Sequence, residues 1–196
     1  MEEISPNVKS VTGFTLGIGY NLPLTSFGNS MLSLQPEIDF IQKGFKSTLS
    51  GTFNEGDYYY TLSSEEKYTV NYLEIPVIAK LSFGPQNTRF HIMAGPSLAY
   101  GLGGKYKATF TFDDGESYSE SYSGKIKFGE EPEENEEDAY INNRVDFGVQ
   151  LGVGVTFMEK ITVDLRYGLG LSDLSDDFAS KNRVLQFSVS MPLSLR

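Results

Sequence analysis

The chain has no cysteine, no tryptophan, a single histidine, and no unbroken apolar run of the ~18 residues that a membrane-crossing helix needs. Without cysteine there is no disulfide framework and no thiolate metal site, so the redox compartment stays open. Basic residues are also scarce, 16 Lys and Arg against 26 Asp and Glu, for a formal charge of −10. A chain so acidic is a poor partner for nucleic acid or an anionic surface, both of which ask for a basic patch. The opening "MEEISPNVKS" has neither the basic n-region nor the apolar h-region of a signal peptide, so an exported protein would be met here in a mature or trimmed form.

What the chain does hold is 20 glycines, 12 tyrosines and 14 phenylalanines in 196 residues, a composition that favours strands and a single domain over residues 1–196. Large apolar residues recur at every second position in seven runs. The first runs from Phe14 to Tyr20, and the second carries Leu32, Leu34, Ile38 and Phe40. Three further runs are Leu73–Phe83, Phe90–Tyr100 and Val145–Phe157, and the last two are Ile161–Leu171 and Leu185–Leu195. Runs of roughly 10 to 13 residues are about twice the usual strand and match what a tilted strand needs to cross a bilayer.

The positions between the apolar ones decide which face is wet. They hold Glu37, Asp39, Glu74, Lys80, Arg89, His91, Arg144, Asp146, Gln150, Asp164 and Arg166, with glycine or serine in most remaining places. A soluble sandwich has no need of balanced charge and abundant glycine on its solvent face. The narrow interior of a small closed barrel needs both, because bulky groups do not fit and each charge wants an opposite one nearby. Glu74 with Lys80, and Asp164 with Arg166, are the pairs expected to meet there.

Connections alternate in length: 21–30, 84–88 and 158–160 are short, 43–71 and 102–143 are long, and 172–182 is intermediate. Outer-membrane barrels have short periplasmic turns and longer external loops, which places the C-terminus on the periplasmic side. Tyr20, Phe83, Phe90 and Phe157 flank the short turns in the apolar register, as an interfacial aromatic girdle would. The expected fold is therefore all-β: an antiparallel up-and-down transmembrane barrel with apolar side chains toward lipid.

With these runs placed, the chain resembles the PorT-like family of outer-membrane β-barrels common in Bacteroidetes. The likeness rests on "LQPEIDFIQKGFK", with Glu37, Lys43 and Gly44, on "YLEIPVIAKL" (72–81), and on "MAGPSLAYGL", "DFGVQLGVGV", "DLRYGLGLSDL" and "NRVLQFSVSMPL", in that order over most of 14–195. The resemblance implies an eight-stranded barrel in the outer membrane of a Gram-negative bacterium. One member of the family takes part in type IX protein secretion, so a secretion accessory is among the roles implied. Only seven runs are visible, whereas bacterial single-chain barrels have even strand counts. The eighth strand is expected upstream of the quoted chain, with 4–10 and 105–113 as the other candidates. The end at Leu195-Arg196 lacks the aromatic residue common in such barrels.

Candidate chemistry is sparse. The inward charges read as a self-satisfying structural network, with an ion or proton relay as the alternative. "GEEPEENEEDAY" packs seven carboxylates into 130–138 but lacks the spaced calcium-loop pattern, so only weak, nonspecific cation binding is expected. His91 has no Ser or Asp partner pattern, and neither a metal site, a cofactor motif nor an enzyme is expected. "KATFTFDDGESYSESYSGKIKF" reads as a hairpin turning at Asp113-Asp114-Gly115. "GTFNEGDYYYTLSSEEKYTV" reads as a second one. Tyr58, Tyr59, Tyr60, Tyr118 and Tyr122 on these hairpins are the candidate surface for a protein partner. The expected function is a scaffold or interaction protein embedded in outer-membrane lipid; the alternatives are a soluble lipocalin-like carrier of an apolar ligand, which inverts the two faces, and a narrow ion or proton conductor.

Overall fold

The computed structural model of the chain describes residues 7–55, 58–85, 87–129, 138–173 and 181–193, with the side chains of residues 55 and 58 outside that description. Eleven strands and no helix are found among them, as the period-two pattern requires. β1 is Asn7–Ser10, β2 Thr15–Gly19, β3 Leu22–Phe27, β4 Ser30–Glu55, β5 Tyr58–Phe83, β6 Thr88–Asp113, β7 Ser117–Phe128, β8 Ala139–Ile141, β9 Val145–Phe157, β10 Ile161–Gly170 and β11 Arg183–Ser190. They form one sheet ordered β1-β4-β5-β6-β9-β10-β11, with β2 and β3 also on β4 and β7 on β6.

β2 and β3 are two pieces of one strand opposite β4, with a bulge between Pro23 and Thr25 and a Tyr20 N–H to Pro36 C=O bond of 3.0 Å at the joint. The 21–30 connection is thus shorter than the sequence implied. β3 occupies most of it, and the chain reverses at Gly28, whose φ of +58 suits a residue without Cβ. Met158 and Glu159 both take positive φ, the geometry that a two-residue hairpin turn between twisted strands demands. Neither candidate for an eighth strand takes such a place: 7–10 pairs with 45–48 of β4, and 105–113 pairs with β7.

The chain divides into two compact units, and β4, β5 and β6, each 26 residues long, contribute to both. One unit comprises 15–41, 72–101 and 143–196. Charged residues are among its buried positions, together with Ile41, Tyr72, Ile78, Met93 and Ala99. Arg166 is 5 % exposed, whereas Leu185 and Phe187 are 71 % and 67 % exposed. The Gln186 amide of β11 donates to the Thr15 hydroxyl of β2 at 3.4 Å.

The other unit comprises 1–14, 42–71 and 102–142. In β6 the buried positions are odd from His91 to Gly101 and even at Ala108, and the change of phase falls at Gly103, φ +122. A one-residue slip of this kind moves every later side chain to the opposite face. Here it sets Tyr106 on Tyr68 (centroids 6.1 Å apart) and Phe112 on Tyr60 (5.9 Å). β8 lies parallel to β7 over three residues, 126–128 against 139–141, closed by Gly129 N–H to Ile141 C=O at 3.0 Å.

Candidate functional site

Burying a charge is tolerated only where an opposite charge and hydrogen bonds meet it. In the first unit β10 presents Arg166, whose Nη1 and Nη2 donate to Glu37 Oε2 and Oε1 at 2.6 and 2.8 Å, a two-pronged pair joining β10 to β4. Arg166 also reaches Asp164 Oδ2 at 3.4 Å, Asp164 Oδ1 lies 2.6 Å from His91 Nε2, and Gln35 donates to Glu37 at 2.5 Å. The result is one connected polar cluster across β4, β6 and β10.

Glycines make this cluster fit. Gly154 stands in register with His91 on one side and Asp164 on the other, and the His91–Asp164 bond passes over it. A Cβ at 154 would fall on both Asp164 Oδ1 and His91 Nε2. Gly17 stands opposite Asp39 in the same way. Gly154 and Gly17 thus stand where a side chain would collide with a charged group.

Among the residues singled out from sequence, Glu37, Asp39, Glu74, His91, Asp146, Asp164 and Arg166 are all buried, while Lys80 and Arg89 are half-buried. Arg89 donates to the Asn29 carbonyl at 3.5 Å, and Asp146 accepts from the Asn182 amide at 2.8 Å. Two expectations need correction. Arg144 is exposed, not interior: it precedes β9, so strand alternation does not govern it, and its guanidinium packs 5.3 Å from the Tyr100 ring centre and bonds the Tyr100 hydroxyl at 3.0 Å. The Glu74–Lys80 pair cannot form as a direct contact. Six residues along one strand are about 20 Å. In the other unit Lys43 is buried as well, at an odd position of β4.

The girdle residues Tyr20, Phe83, Phe90 and Phe157 are exposed, with Phe83 stacked on Phe90 at 6.4 Å. Among the described residues no three His, Asp or Glu side chains converge to hold a metal ion. Of the acidic run, 130–137 lie outside the described residues.

The second unit carries the hairpins. Tyr59, Tyr118 and Tyr122 are exposed; Tyr60 is half-buried between Phe53 (5.4 Å) and Phe112, and the Tyr58 side chain lies outside those described. A groove of about 660 Å³ opens there, lined by Leu49, Phe53, Leu62, Phe110, Phe112 and Tyr118 with Ser, Thr and Glu120 between. Sequence reading missed its aliphatic and phenylalanine lining, since the slip at Gly103 has no signature beyond a Gly-Gly pair. Below it, burial and the neighbouring Glu66 push the Tyr68 hydroxyl up to about 12, so it stays a neutral donor to Glu66 at 3.1 Å.

Asp138 ties β8 to β7: it accepts the Lys125 N–H at 3.0 Å and pairs with Lys127 Nζ at 2.6 Å. Bonding to Lys127 holds Asp138 below the usual carboxylate range and raises Lys127 above the usual lysine range. A depressed acid contributes above its unfolded pKa and is lost as pH falls through the folded value; a raised base contributes below its unfolded pKa and is lost as pH rises through its own. Amide protection at 126–128 and 139–141 is thus expected to be highest between those ranges and to fall on both sides in hydrogen exchange; a flat profile would refute the tie.

No curated protein and no solved structure matches the chain. Residues 2–176 match the model of one family, described as the outer membrane protein beta-barrel domain. Enclosed charges, an apolar band bared on the opposite face and this match agree, and the chain belongs to the outer membrane protein β-barrel domain family.

Proposed function

We propose that this protein is a non-enzymatic scaffold of a Gram-negative outer membrane, related to the PorT-like barrels, whose hairpins bind a protein partner, with a secretion accessory as the process it would serve. The observation that carries this reading is the division of labour between side chains. Buried Arg166 is spent on Glu37 and Asp164, while aromatic residues of β4, β6 and β7 line an open groove. Paired interior groups stiffen a barrel and leave little for substrate chemistry. His91, held by Asp164 and 1 % exposed, is out of reach of a reactant. Tyr and Ser on an exposed hairpin suit adaptable protein recognition.

The lipocalin-like carrier requires apolar residues inside and charges in water. Leu165 and Val189 are exposed and Arg166 is buried, the reverse of that arrangement. The relay reading keeps one supporting observation, the continuous His91–Asp164–Arg166–Glu37 chain. Proton current across planar bilayers would establish it, and silence would end it.

The test of partner binding is photo-crosslinking in the native envelope, with a photoreactive residue at Tyr59, Tyr118 or, in the apolar band, Phe187. Protein adducts are expected from the two hairpin positions and lipid adducts from Phe187. Absence of any protein adduct at Tyr59 and Tyr118 would overturn the proposal.

A further inference from the structure

A β-strand at the edge of a sheet presents a row of unpaired N–H and C=O groups, and soluble or surface domains usually protect such rows with Lys, Pro, a bulge or a covering segment. β7 pairs with β6 along Ser117–Ile126 in ten successive steps without a register shift. Its other edge is paired, among the described residues, only at 126–128, by β8. Ser117 to Ser123 are all exposed, and the stretch contains neither Lys nor Pro. Among the described residues, a regular edge without Lys, Pro or a bulge is thus left open over most of the strand.

The direction of its backbone groups follows from one bond. Lys125 N–H donates to Asp138 Oδ1 on the side away from β6. N–H and C=O directions alternate along a strand, so those of Ser117, Ser119, Ser121 and Ser123 also point to the open side. The opposite pairs Thr109–Ser121 and Thr111–Ser119 agree, with hydroxyls 3.0 and 3.1 Å apart as expected of closely approaching pairs that exchange no backbone bonds.

Charge says what can lie there. From 108 to 124 the hairpin has Asp113, Asp114, Glu116 and Glu120 and no Lys or Arg. Asp113 and Asp114 brace the turn through the N–H groups of Gly115 and Glu116, while Glu116 and Glu120 accept the hydroxyls of Tyr118 and Tyr122. All four carboxylates act here as acceptors. A second copy of the same edge would face its own charges. We infer that the open edge of β7, Ser117–Ser123, receives an extended basic segment of a partner protein by strand addition, its backbone pairing with the four serines and its cations facing Glu116 and Glu120. This rests on the proposed partner-binding role of the hairpins and gives it a mode and a chemistry.

The test uses the full chain in neutral detergent micelles and a fluorescent peptide of alternating Lys and Val, as long as β7. The peptide is expected to bind, to protect the amides of Ser119 and Ser121 from exchange, and to weaken as salt rises. Ser121→Pro removes one edge N–H at a position where an edge strand tolerates proline, and is expected to cut affinity by about tenfold or more, while Ser121→Ala stays within about twofold. A peptide of equal charge with alternate amides N-methylated is expected not to bind. Equal binding by that peptide or by Ser121→Pro would overturn strand addition, as would failure of the unmodified peptide to bind wild type. Dimers of the chain abolished by Ser121→Pro would overturn it too, naming a second copy as the occupant. Envelope cross-links from Tyr118 that persist in Ser121→Pro would sink strand addition alone; loss of all hairpin cross-links in the wild type would sink the partner reading as well.

Discussion

Replacing Arg166 by leucine is expected to cost about 3–5 kcal/mol of stability, because it strands Glu37 and part of Asp164 as buried carboxylates without their cation. Removing both ends of the main pair, Arg166→Leu with Glu37→Leu, is expected to cost clearly less than the arginine change alone. Two buried charges then leave together, and the leucines fill similar volume. The chain has no tryptophan, so the measurement is urea unfolding of the refolded protein in lipid vesicles followed by far-ultraviolet circular dichroism, with heat-modifiable gel mobility as a second readout. A single-variant loss below about 1 kcal/mol would place the pair in the range of solvated surface ion pairs. That result would remove the basis for calling this face enclosed.

How much of this was readable beforehand follows from what strand periodicity can and cannot carry. Alternation assigned Glu37, Asp39, Asp164 and Arg166 to one face, because every second residue of a strand shares a side. It did not yield the Arg166–Glu37 pair, because 129 residues separate the two and no pattern in one sequence encodes which strands lie opposite. Where a strand starts is equally hidden, and Arg144 was misplaced by a single residue ahead of β9. The Asp113-Asp114-Gly115 turn was legible from its residue types, and β6 and β7 do reverse there, Asp113 standing opposite Ser117. The turn at Met158-Glu159 was found by spacing alone, since neither residue advertises the positive φ it adopts. The groove stayed invisible for the same reason as the slip at Gly103: one irregular residue reverses the parity on which the reading depends.

Gly154→Val carries the second large effect, and it asks whether the inward glycines are matched to particular charges or only thin out the interior. A valine Cβ would fall on Asp164 Oδ1 and His91 Nε2 and lie 2.6 Å from the Val163 carbonyl oxygen, so the His91–Asp164 bond must open and two buried polar groups lose each other. The expected cost is about 3–5 kcal/mol, in the range of broken buried ion pairs. Gly28→Ala is the contrast: nothing lies within 4 Å of its Cβ, and only the positive φ of +58 opposes it, for about 1–2 kcal/mol. Truncating His91 to alanine in the Gly154→Val background is expected to recover part of the loss, because it vacates the space the valine enters. The double-mutant coupling should then be favourable by 1 kcal/mol or more, as is typical of residues in contact. Additive losses, with Gly154→Val as costly without His91 as with it, would show that valine is rejected by Asp164 and the Val163 carbonyl without a part played by the imidazole, and that His91 does not select the glycine.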